Sequence, residues 1–132
     1  MRLASVWLAL CCSNPAGACV PALQGEDSHR AAIDEVTVVF RLDPPAILLG
    51  EPFGVDLAAC DMAGRRLEIV RIDAQMPEHR HGMNYEPSLR TLADGRSRAD
   101  GLLFHMPGRW QFSFEIRDGA RTRQLSVDYR LE

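Results

Sequence analysis

Trp110, Phe112, Phe114 and Ile116 alternate with Gln111, Ser113, Glu115 and Arg117. Successive side chains leave a strand toward opposite faces, so this period of two predicts a half-buried β-strand. The same alternation recurs along the chain. Val36, Val38, Phe40 and Leu42 form one apolar set, and Pro44-Pro45 ends it because proline brings no ladder donor. Phe53, Val55, Leu57 and Ala59 form a second, followed by a turn at DMAGRR. In 67–74 the phase changes: Leu67 and Ile69 face one way, and Val70, Ile72 and Ala74 the other, as a bulge would produce. SLRTL and 98–104 are shorter strand candidates on either side of Asp94-Gly95, a turn signal. Pro107-Gly108 and Asp118-Gly119 bracket the Trp110 strand, and Leu125, Val127, Tyr129 and Leu131 alternate after it. No segment carries a helical stripe. These elements predict an all-β fold, an immunoglobulin-like antiparallel β-sandwich of about seven strands, with Trp110 in its core.

The apolar run at the N-terminus has no such alternation. Arg2, the apolar stretch 3–12 and the small-residue triplet Ala16-Gly17-Ala18 read as a secretory leader over residues 1–18. A polar, irregular stretch, 19–33, reads as a flexible tether with His29 as a solvated side chain, and the folded domain spans 34–132. Cleavage after Ala18 puts Cys19 at the new N-terminus. The sequence AGAC partly matches a lipoprotein box but has Ala16 where leucine is usual, so membrane contact is expected only if Cys19 is lipidated. Cys60 is read first as a buried free thiol, which packs like a small hydrophobe, with a disulfide to Cys19 as the alternative.

Charge narrows the function. The formal net charge is −3 and there is no basic run, which excludes a nucleic-acid partner. The sequence has no nucleophile elbow, no HExxH zinc motif and no phosphate-cradling glycine loop, so no catalytic residue is assigned and a non-enzymatic role is expected.

What remains is an uneven distribution of histidine and methionine. Met76, His79, His81 and Met83 lie in MPEHRHGM, and His105 and Met106 lie in FHMPGRW. Beyond residue 18, only His29 and Met62 lie elsewhere. In an extended segment His79 and His81 leave the same side, and Met83 shares their parity. A thioether is a soft, neutral donor that suits Cu(I) and hardly suits zinc or magnesium, while imidazole accepts Cu(I), Cu(II) and Zn(II). The mixed set therefore points to copper, with Cu(I) favoured and Cu(II) tolerated, on Met76, His79, His81, Met83 and His105. Adjacent strand residues face apart, so His105 is preferred as the ligand and Met106 as its neighbour or a core residue. The competing reading is a metal-free interaction module whose 76–87 loop meets a protein partner through Arg80, Tyr85 and the methionines.

The order MPEHRHGM, then GLLFHMPGRWQFSFEI, resembles the small secreted β-sandwich domains grouped as YtkA-like and related to FixH, over about residues 34–131. The resemblance implies an immunoglobulin-like fold, a periplasmic or otherwise extracytoplasmic setting, and a role in copper handling or cytochrome oxidase assembly. It implies a copper-donating or copper-receiving envelope partner and points to the same five residues. FixH-type proteins carry a membrane helix that has no counterpart here beyond the apolar leader, so the likeness holds for the folded domain.

Overall fold

The computed structural model describes Leu23 and residues 25–132. The predicted leader, Cys11, Cys12 and Cys19 lie outside the described residues. The strands are β1 (Ser28–Ile33), β2 (Val36–Asp43), β3 (Pro52–Asp61), β4 (Arg66–Met76), β5 (His81–Gly82), β6 (Ser88–Thr91), β7 (Ser97–Leu103), β8 (Gly108–Asp118) and β9 (Arg121–Leu131). All the pairings are antiparallel, and no α-helix occurs among the described residues. One layer runs β6–β7–β3–β2–β1 and the other β5–β4–β8–β9. The layers join at a corner where β3 and β4 pair only at Ala59↔Leu67 and Cys60↔Arg66. The single sheet thus folds over itself and is nearly closed.

The all-β expectation holds, and among the described residues the strands number nine. The two additions are β1 and β5. The tether expected over 19–33 does not describe Ser28–Ile33, which pair with β2 through Ile33↔Val36. Asp34, in the left-handed region at φ 50°, turns the chain in a two-residue hairpin there. His29 is correspondingly not a solvated side chain. Its ring stacks on Phe40 with centroids 5.0 Å apart and meets the edge of Tyr129. The bulge in 67–74 is present: the β4–β8 register shifts between Ile69 and Arg71, leaving Val70 as the extra residue.

The apolar alternation fills the space between the layers. Phe40 of β2 packs on Phe112 and Phe114 of β8, with centroids 5.7 and 5.3 Å apart, and Phe53 of β3 meets Phe104 and Phe112 edge-on. A smaller cluster on the other side of β2 and β3 buries Leu23, Val39, Ala58 and Cys60. Cys60 is disulfide-bonded, which corrects the expectation of a free thiol. Its burial is what the sequence signalled, but burial does not distinguish a thiol from a half-cystine.

Candidate metal centre

Trp110 organises one end of the folded sheet. It is fully buried, and its indole lies flat on Phe104 with centroids 4.2 Å apart and planes 4° apart. Its Nε1–H donates to the carbonyl of Met106 at 2.9 Å. These two contacts fix the link between β7 and β8, and the residue between Phe104 and Met106 is His105. The His105 ring stands edge-on to the indole at 5.5 Å.

The other histidines arrive on the β4–β5 hairpin. Met76 pairs with His81, Gln75 with Gly82, and the His79 amide donates to the Met76 carbonyl at 3.1 Å. Pro77, Glu78, His79 and Arg80 are therefore a tight turn. The expectation of an extended segment carrying His79 and His81 on one side fails here. Arg80 lies in the left-handed region at φ 52°, and this reversal brings the two rings to 5.8 Å. His81 in turn stacks on His105 with centroids 5.2 Å apart and planes 29° apart, and meets the edge of Trp110. The two clusters, remote in sequence, meet as a row His79–His81–His105.

A metal–nitrogen bond of ~2.0 Å puts two imidazoles that share an ion about 5–6 Å apart at their centroids. The row has that spacing. It does not have the convergence: among the described residues no three His, Cys, Asp or Glu side chains already surround a common point. The stacked rings would have to turn to share an ion. His105 Nδ1 is buried and has no hydrogen-bond partner, which is costly for a polar atom unless something else meets it.

The thioethers are placed unequally. Met76 is buried in the core and directly opposite His81 across the hairpin, so its side chain lies on the face His81 occupies. It also reaches Gly108, where an added Cβ would lie 3.1 Å from its methyl carbon. Met83 and Met106 are half-buried against the core. Met83 lines a groove of about 460 Å³ with Ile72, Tyr85 and Pro87. Met62 is exposed and remote. Sequence reading missed Glu78 and Arg109, whose side chains join the turn to β8 at 3.1 Å. Nothing in the sequence marks that pair, because it depends on strand order.

A left-handed conformation costs an L-residue ~1–2 kcal/mol, a cost glycine escapes. Arg80→Gly should therefore leave Tm unchanged or a few degrees higher, since about 0.5–1 kcal/mol of added chain freedom in the unfolded state offsets the relief. Arg80→Val should lower it. Thermal melts of both variants check the turn, and a large loss with glycine would contradict it.

No family model matches the chain, and no curated protein matches it. Solved structures do. A DUF4426 family protein from Pseudomonas aeruginosa aligns at 6% identity and TM-score 0.58, covering 82% of this chain and 97% of that one. A copper-bound variant of FetP from uropathogenic Escherichia coli aligns at 7% identity and TM-score 0.54, covering 80% and 95%. FetP as isolated after expression in the periplasm of E. coli aligns at 8% and 0.53, covering 77% and 91%. At such identities the likeness is one of fold.

Proposed function

We propose that this chain is an extracytoplasmic copper-binding protein that carries the ion to or from an envelope partner. The ion would be held among His79, His81 and His105, with thioethers from Met76 and Met83. The observation that carries the proposal is the meeting of three imidazoles from two distant segments, one of them with a buried and unpartnered nitrogen. The donor chemistry supports copper over harder cations. The fold shared with copper-bound FetP supports the same reading, as does the resemblance to YtkA-like domains. Thioether and imidazole resist oxidation better than thiolate, which suits a periplasmic carrier.

Titration of the purified protein with Cu(II), and with Cu(I) against a chromophoric chelator, should show one ion per chain. Trp110 is the single indole beyond residue 18, and its proximity to His81 and His105 makes its fluorescence the reporter. His79→Ala with His81→Ala should lower affinity at least 100-fold, beyond the about 10–100-fold that losing a mere outer-shell partner of a ligand costs. Retained far-UV circular dichroism would show that the fold is intact. Stoichiometric binding unchanged in the double variant would refute this site, and no binding at all would leave the metal-free interaction module.

A further inference from the structure

Two neighbouring residues of β8 hold the two halves of the row. Trp110 points inward and fixes the His105 link, as described above. Arg109 points outward, and its Nε donates to Glu78 Oε1 in the Pro77–Arg80 turn at 3.1 Å. Its Nη1 donates to Asp128 Oδ2 of β9, also at 3.1 Å. Asp128 is itself held from the strand opposite, because Gln111 Nε2 donates to its other oxygen at 3.1 Å and the two residues pair in register. The guanidinium is thus braced against the sheet and reaches out to a turn with little else to fix it. The strand that closes that turn, β5, is two residues long and pairs only through Gln75↔Gly82 and Met76↔His81.

We infer that Arg109 is a positioning residue that latches the His79-bearing turn to the sheet, in register with His105. The consequence for metal rests on the copper reading, while the latch itself does not. An exposed ion pair adds little to global stability, so its loss should appear locally rather than in Tm. The guanidinium bonds two carboxylates at once in fixed directions, which an ammonium does poorly.

The test is amide hydrogen exchange on the metal-free protein, read at His79 and Met83, whose amides donate to Met76 and Ala74 across the hairpin. Arg109→Met and Glu78→Gln should each accelerate exchange at these amides about fivefold to tenfold, with Tm unchanged. The double variant should match the single ones, because both remove one interaction. Arg109→Lys should fall between Arg109→Met and the wild type. Copper affinity should fall in step with the exchange. Unchanged exchange at His79 and Met83 in Arg109→Met would overturn the latch, and so would faster exchange spread evenly along β8 and β9 with a lower Tm. Copper affinity that stays constant while the turn loosens would overturn its positioning role. If the turn loosens and even the wild type binds no copper, the latch stands and the copper reading falls.

Discussion

Replacing Trp110 with alanine is expected to destabilise the domain by about 3–5 kcal/mol, the range for truncating a large buried aromatic. Roughly 4–8 °C of Tm per kcal/mol for a domain near 100 residues puts the fall at about 12–40 °C. The loss has two parts. The indole is fully buried and stacked on Phe104, so truncation opens a cavity between the layers that Phe53 and Phe112 cannot close without leaving their own contacts. The Met106 carbonyl also loses its indole donor. Trp110→Phe separates the parts, since it retains an aromatic ring against Phe104 and deletes the N–H. It should cost less than alanine, and it should still loosen the 104–107 link, visible as a shift in the His105 ring resonances. An alanine variant that melts within a few degrees of the wild type would remove Trp110 from the centre of this end of the fold.

That dependence also explains which parts of the molecule the sequence could reveal. The strands that bury one face were legible because a half-buried strand must alternate: Trp110, Phe112, Phe114 and Ile116 are all fully buried. The bulge at Val70 was legible as a change of phase. The strand β1 was not, because SHRAAI offers no large apolar alternation and is strand by virtue of pairing with β2. The histidines were legible as a cluster by their density, but not by their geometry. The extended i, i+2 arrangement gave the right neighbours for the wrong reason, since Arg80 in a left-handed turn is what brings His79 to His81. The meeting of His81 with His105 depends on β4 lying beside β8, a pairing that spans some 40 residues and leaves no local trace. The Glu78–Arg109 pair follows from the same adjacency and was equally invisible.

A second polar network shows the same limit and carries the other large prediction. Asp43, Gly54 and Asp100 stand in one row across β2, β3 and β7. The absent side chain at Gly54 leaves a space that the Arg98 guanidinium occupies, so a Cβ there would overlap it. Arg98 is only 17% exposed and bonds Asp100 at 2.7 Å, Asp43 at 2.9 Å and Asp56 at 3.4 Å. Burial works against its charge, but the bonds to Asp100 and Asp43 and the charges of Asp100 and Asp56 outweigh it and hold the guanidinium protonated. Burial would likewise raise the Asp100 carboxyl, yet the Arg98 bond and charge, helped by Arg90, hold it below its ordinary value of 3.8.

Arg98→Met keeps the apolar stem and removes the charge, leaving three carboxylates facing one another. The expected cost at pH 7 is about 1–3 kcal/mol, less than for a fully buried pair because water screens the partly exposed aspartates. The pH dependence fixes the cause. A carboxylate with a lowered pKa in the folded state contributes stability that is complete above its unfolded value and lost as pH falls through the folded one. The wild type should therefore lose the Asp100 contribution below about pH 4. The variant never has it. Melts at pH 7, 5 and 3 should show the gap in Tm widest at pH 7 and closing toward pH 3. A gap that stays constant to pH 3 would mean that Arg98 acts through its packing alone, and the arrangement around Gly54 would then have no electrostatic role.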